Sequence, residues 1–198
     1  GAMGVAAKQS LTEIRPRPDL VIVSPNSPEA MMKFPAECRS MGIPYLYDPS
    51  QQVARMGGDD IKDGVVGASI VICNDYEFAI IGEKTGMREA EMLKHATDVV
   101  VTKGEKGASI ILRDGTIDVP AVPPTSIVDP TGVGDAFRGG FLAGYAHGFD
   151  WKLCGEIGSL SAVYCLEQRG TQNHGYTKQE FVERFALILT MAASWMCC

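Results

Sequence analysis

Four short apolar runs, rich in Val and Ile and almost without polar alternation, most constrain what this chain can fold into. They lie in Asp19 to Ser24, Ala68 to Cys73, Val99 to Thr102 and Ala108 to Arg113. A strand that is wet on one face alternates apolar with polar side chains. A strand that does not alternate is buried on both faces, as in a parallel sheet lying under helices. The stretches between the runs supply those helices. Ser27 ahead of Pro28 is a helix start and Gly42 a stop, which predicts a helix from Glu29 to Met41. Ile43 to Pro49 reads as a further strand and its exit, and Gly57-Gly58-Asp59-Asp60 opens a short helix. Tyr76 to Ile81 and Met87 to Ala96 read as two more helices, and Ile117 to Val122 as an extended run after the turn at Asp114-Gly115. The expected class is α/β, three layers in the order α-β-α around a mostly parallel central sheet.

Late in the chain the pattern changes. Ser126-Ile127-Val128 predicts a short strand ending at Asp129, followed by a glycine-punctuated turn, with Asp135 where a helix to about His147 begins. Gly132 and Gly134 admit turn angles closed to other residues, so successive N–H groups can point into one small volume. The helix adds its unpaired first-turn N–H groups and the positive end of its dipole. A phosphoryl group suits that volume, because the donors are already aimed at the charge that develops during transfer. Asp135, on the acceptor side, would take the proton of an attacking hydroxyl; the alternative for it is a helix cap. Gly139, Gly140 and Gly144 weaken helix propensity by roughly 1 kcal/mol each, which points to close approach by another element or by ligand. A long helix from Trp151 to Glu167 and a last one from Lys178 to about Met191, capped by Thr177, complete the pattern.

The run Asp129-Pro130-Thr131-Gly132-Val133-Gly134-Asp135-Ala136-Phe137-Arg138-Gly139-Gly140-Phe141 resembles the second signature of the ribokinase-like, or pfkB-type, carbohydrate and nucleoside kinases. The resemblance implies that Asp135 is the catalytic base and that Gly132, Val133 and Gly134 form an anion hole. Pro130 stands where the family often has Thr; it fixes one torsion and removes one donor ahead of the donor cluster. Asn74-Asp75-Tyr76-Glu77 resembles the family's Asn-x-x-Glu motif, which implies Mg²⁺ near Asn74 and Glu77, held mainly through water. Their spacing puts both on one helix face, and Mg²⁺ prefers oxygen ligands while keeping several waters. Read alone, the pair is an N-cap with its capping-box partner, and the two roles are compatible.

Thr102-Lys103-Gly104-Glu105-Lys106-Gly107 resembles the family's Thr-x-Gly-x-x-Gly turn, which implies that Thr102 and Gly104 border ATP. A plain strand-turn-strand hairpin needs glycines too. Gly170 and His174, in the loop after the long helix, are implied neighbours of the nucleotide. Asp129 and Thr131, together with that loop, are an implied site for a monovalent cation such as K⁺. For His174, a solvated loop histidine is the plainer reading.

The implied fold is the Rossmann-like ribokinase fold, and the chain resembles roughly the last two-thirds of such an enzyme. The early sheet strands, most of the small β lid and a glycine-rich acceptor-gripping segment have no counterpart before Asp19. Residues 1–18 read as a lead-in or lid remnant, and residues 19–198 as one nucleotide-binding domain. An exposed sheet edge is expected, open to a homodimer partner or to a complementing N-terminal chain. The implied activity is Mg-ATP-dependent transfer of the γ-phosphate to a primary hydroxyl. Arg138 to Leu142 with His147-Gly148-Phe149-Asp150-Trp151 looks most like the prokaryotic adenosine or nucleoside kinases, so the acceptor is an adenosine-like nucleoside or a sugar.

Two alternatives stand beside this. One is a truncated, non-catalytic ATP-binding module or half of a two-chain kinase. The other is a Rossmann-type oxidoreductase, whose glycine motif follows the first strand with an acidic residue about 20 positions on; here the motif lies near residue 132. A net charge of −6 with scattered basic residues offers no field for nucleic acid. No apolar span of about 20 residues is present, so no membrane crossing is expected, and the cytoplasm is the expected location. Cys38, Cys73, Cys154 and Cys165 read as buried thiols, and Cys197-Cys198 lacks structural-zinc spacing.

Overall fold

In a computed structural model that describes residues 1–195, a six-stranded sheet has the order β1-β2-β3-β4-β5-β6. The strands are β1 (Val21–Val23), β2 (Tyr45–Tyr47), β3 (Ile70–Asn74), β4 (Asp98–Thr102), β5 (Ala108–Leu112) and β6 (Gly115–Val119). The helices are α1 (Pro28–Met41), α2 (Gly58–Val65), α3 (Asp75–Thr85), α4 (Glu89–His95), α5 (Val133–Ala146), α6 (Trp151–Leu166) and α7 (Lys178–Trp195). Cys197-Cys198 lies outside the described residues. Contacts divide the chain into two units, Gly1–Lys103 with Ser109–Ile117, and Gly104–Ala108 with the chain from Asp118 onward.

In the first unit, β1 to β4 are parallel neighbours in sequence order, each joined to the next through helix. Right-handed crossovers in a sequential sheet put α1 to α4 on one face. Val23, Tyr45, Tyr47, Val71, Cys73, Val99 and Val101 pack there against Met31, Cys38, Ile61, Val65, Ile81 and Met92. The alternate residues Leu46, Ile70, Ile72, Val100 and Ile110 are buried as well. That two-sided burial is why these runs carry no polar alternation. The connections from β4 to β5 and from β5 to β6 are too short for parallel crossovers, so the sheet turns antiparallel at that end.

Local chemistry sets the helix ends. Ser27 caps α1 through its side chain, Pro28 occupies the first turn, and Gly42 closes the helix at φ 60. Leu11, in the lead-in, is buried in the same core as β1 and α1, and Glu37 accepts its N–H at 2.8 Å. β1 has one sheet neighbour, and Ile22 on it is 48% exposed, so an edge is open there. Helix α4 starts at Glu89, two residues later than the sequence suggests, with Met87 buried ahead of it.

In the second unit, glycines bring α5 and α6 together. A Cβ on Gly140 would stand 2.3 Å from Ser161 Oγ, one on Gly144 3.1 Å from Cys154 Cα, and one on Gly158 2.9 Å from the Phe137 carbonyl. Phe141 and Trp151 stack beside this contact. Asp150 caps α6, and Thr177 and Glu180 cap α7 reciprocally. No helix among the described residues is long and apolar enough to cross a membrane.

Candidate active site

The strand expected at Ser126 to Val128 is absent, and the segment is a loop. Ile127 is 76% exposed and Val128 52%. The N–H groups of Val128 and Asp129 both donate to the Leu166 carbonyl, at 3.0 and 3.2 Å, at the end of α6. The hydrogen-bond partner of this segment is a helix end and not a strand.

After that loop the chain turns through Gly132 at φ 85 and enters α5 at Val133, two residues before the start expected at Asp135. No side chain caps this helix. The first ladder bond runs from Ala136 N–H to the Gly132 carbonyl at 2.9 Å, while Val133 N–H reaches Pro130 O at 3.4 Å. The N–H groups of Gly134 and Asp135 therefore precede the ladder, at the positive end of the helix. The two turn glycines differ. A Cβ on Gly132 would lie 3.0 Å from Thr171 Cβ and Cγ2, so turn angle and packing both require glycine. A Cβ on Gly134 would meet nothing within 4 Å, so the protein's own packing does not require glycine there.

Asp129 ties this turn to the loop after α6. Its Oδ1 accepts from Thr131 N–H and its Oδ2 from Gly170 N–H, each at 2.9 Å. The Thr131 hydroxyl, then the N–H groups of Thr131 and Gly170, hold its carboxyl down at about 2. Gly170 adopts φ 84 to present that N–H. Cys165 Sγ, on α6, lies 3.6 Å from the Thr131 carbonyl. Asp135 does not cap the helix; its Oδ1 pairs with Arg138 Nη2 one turn later, and its side chain is 73% exposed.

In the first unit, Asn74 and Thr102 are paired in register at the C-terminal ends of β3 and β4. Asn74 Oδ1 accepts from Glu77 N–H at 2.7 Å and Glu77 Oε2 accepts from Asn74 N–H at 2.9 Å, a complete capping box. Among the described residues Glu77 Oε1 carries no hydrogen bond, so it can accept from a metal-bound water. No group of three or more His, Cys, Asp or Glu side chains that could hold a metal occurs among the described residues.

Lys103 donates to Ser109 Oγ at 2.5 Å, which engages it within its own unit. In the second unit, Gly104 opens a short 3₁₀ turn at φ 58 with open space where a Cβ would be. His174 is half-buried, with Nδ1 enclosed and without a hydrogen-bond partner among the described residues, which departs from a solvated histidine. The structure thus gathers Asp129, Thr131, Gly132, Val133, Gly134, Asp135 and Gly170 into one turn, and Asn74, Glu77 and Thr102 into another group. No described hydrogen bond joins His174 to the first of these.

Sequence reasoning missed a supporting hub. Glu167, 11% exposed on its side chain, accepts from Thr125 N–H at 2.6 Å and its hydroxyl at 2.9 Å, and from both ends of Arg184 at 2.7 Å. Arg184 first, and then Thr125, hold its carboxyl at about 2. Arg184 also lies over the Tyr164 ring at 4.7 Å. Glu167 and Arg184 are too far apart in sequence for any local spacing rule to link them.

The profile of pfkB family carbohydrate kinases matches residues 11–178. A nucleoside kinase of Methanocaldococcus jannaschii is 28% identical over 166 residues, covering 84% of this chain and 55% of its own length. A cytidine kinase of Thermococcus kodakarensis is 34% identical over 155 residues, covering 75% of this chain and 55% of its own. A nucleoside kinase of Burkholderia thailandensis, solved with inosine, superposes with a TM-score of 0.90 at 35% identity, covering 94% of this chain and 61% of that one. The chain thus spans about half the length of the curated relatives it matches.

Proposed function

Because the chain belongs to the pfkB family of carbohydrate kinases, we propose that it serves Mg-ATP-dependent transfer of a γ-phosphate to a primary hydroxyl of a nucleoside, adenosine-like, or of a sugar. The observation that carries this is the start of α5. There, N–H groups ahead of the helix ladder sit beside a glycine that nothing in the fold requires, next to an exposed carboxylate. Packing explains Gly132 but not Gly134; an anion that must reach the backbone explains both.

In this reading the turn of Gly132, Val133 and Gly134 holds the phosphoryl oxygens, with the N–H groups ahead of the helix ladder as donors, and the Asp135 carboxylate receives the acceptor's proton. Thr102, Gly104, Thr131, Gly170 and His174 line the nucleotide. Glu77 Oε1 and the Asn74 amide hold Mg²⁺ through its waters. Bound there, Mg²⁺ offsets phosphate charge. K⁺ near Asp129 and Thr131 would share oxygens that already accept N–H groups, and no step depends on it. Asp129 orders the turn before any ligand arrives, so the donors need little reorganisation. The open edge of β1 is offered as the pairing site for a second copy or a complementing N-terminal chain.

The test is ATP-dependent phosphorylation across a panel of nucleosides and hexoses, with Asp135→Asn alongside and Mg·ATP binding measured on both. Loss of turnover with binding retained supports Asp135 as the base. A wild-type chain that binds Mg·ATP without turnover favours the truncated-module reading. Binding of NADH in preference to ATP removes the kinase reading.

A further inference from the structure

We propose that Arg138 is a positioning residue for Asp135: its guanidinium engages one carboxylate oxygen from the protected side and leaves the other to receive the acceptor's proton. The proposal rests on the reading of Asp135 as the base. Arg138 follows Asp135 by three positions on α5, so the two side chains share a helix face. Nη2 of Arg138 meets Oδ1 of Asp135. The pair is lopsided, with the arginine side chain 14% exposed and the aspartate 73%. One end is held in the protein and the other stands at the surface, an arrangement that orients a carboxylate outward.

The surroundings agree. Burial pushes the Arg138 guanidinium down from its ordinary value. On α6, facing α5, the Cys165 thiol is raised by burial and then by Asp129 and Asp135, and stays protonated. Asp129 is itself engaged by Thr131 and Gly170. Among the described residues, the ion pair made by Asp135 is the one with Arg138. Gly139, four positions along the same face from Asp135, has nothing within 4 Å of the place a Cβ would take. The second Asp135 oxygen belongs to a side chain that is 73% exposed.

The Nη2–Oδ1 contact ties one carboxylate oxygen and leaves the other unbonded among the described residues, and the planar guanidinium is more preorganised for that contact than an ammonium on its flexible stem. In the transfer step, the acceptor O–H bond breaks and its proton passes to the free Asp135 oxygen. The acceptor oxygen bonds to the γ-phosphorus, the bond from that phosphorus to the bridging oxygen breaks, and ADP leaves. The oxygen held by Arg138 takes no proton.

Two measurements test this on the full chain. Nitrogen-15 NMR of Arg138 should show separate, slowly exchanging Nη resonances that merge in Asp135→Asn; merged resonances in the wild type overturn the lock, whatever the catalytic outcome. In steady-state kinetics, Arg138→Met should lower kcat about 10- to 100-fold, as expected for a misplaced catalytic group. KM for Mg·ATP should move by no more than about 2-fold. Added guanidinium should restore part of kcat, and Arg138→Lys should fall between wild type and Met. An unchanged kcat in Arg138→Met overturns the proposal. A wild-type chain that binds no Mg·ATP defeats the kinase reading instead, and the NMR result still decides the lock.

Discussion

Substituting Gly134 by Ala separates what the fold needs from what a ligand needs. Its absent Cβ has no neighbour within 4 Å, and the residue lies in the first turn of α5. Alanine is the better helix former by about 0.5–1 kcal/mol. For a chain of this size that raises Tm by about 1–4 °C. The same methyl group occupies the volume through which a phosphate oxygen would reach the N–H groups. A hydrogen bond to a charged group contributes about 1.5–3 kcal/mol, so Kd for Mg·ATP should rise roughly 10- to 150-fold. Gly132→Ala is the contrast. At φ 85, with Thr171 atoms 3.0 Å from the new Cβ, it should lose stability by at least about 1–2 kcal/mol. Thermal unfolding and calorimetric Mg·ATP titration read both effects. If Gly134→Ala gains stability yet binds Mg·ATP as the wild type does, these N–H groups do not hold phosphate and the reasoning fails.

Other consequences follow from the supporting contacts. The folded pKa of Glu167 is depressed from 4.5 to about 2, so its stabilisation is present above pH 4.5 and lost as pH falls toward 2. Glu167→Gln should therefore destabilise the fold at neutral pH by about 1–2 kcal/mol, allowing for solvent screening of the pair, and flatten the urea midpoint across that acid range; an unchanged acid slope refutes the hub. Glu77→Gln should keep the capping box, since Gln can close it. It should also raise the Mg²⁺ needed for half-maximal ATP binding roughly 10-fold; an unmoved Mg²⁺ titration leaves Glu77 as a cap alone. Gly140→Ala, with Ser161 Oγ 2.3 Å from the new Cβ, should destabilise by about 1–3 kcal/mol. Its neighbour Gly139→Ala should not, and equal melting curves for the two would contradict the close α5–α6 contact.

Much of the architecture was legible because its signals are local. The helix α1 follows from Ser27-Pro28 and Gly42, and β3 and β4 from runs whose lack of alternation matches burial on both faces, whereas Ile22 on β1 is exposed. The Asn74–Glu77 pair forms the capping box that its spacing allows. Failures came where a partner distant in sequence decides. Ile127 and Val128 have strand-like side chains, but their backbone is claimed by Leu166 at the end of α6. The link between Glu167 and Arg184 depends on how α6 and α7 pack, which no periodicity encodes.

The Leu166 carbonyl, receiving two N–H groups, has an electrostatic consequence of its own. The tail of a helix is a negative pole, and α6 ends beside the stretch leading to the turn where an anion is expected. Left bare, that pole would repel the guest. Here the Leu166 oxygen is shielded by the amides of Val128 and Asp129, and the Cys165 and Val163 oxygens by those of Gln168 and Glu167. One helix's repulsive end is muted by the same strand of backbone that leads into the other helix's attractive one.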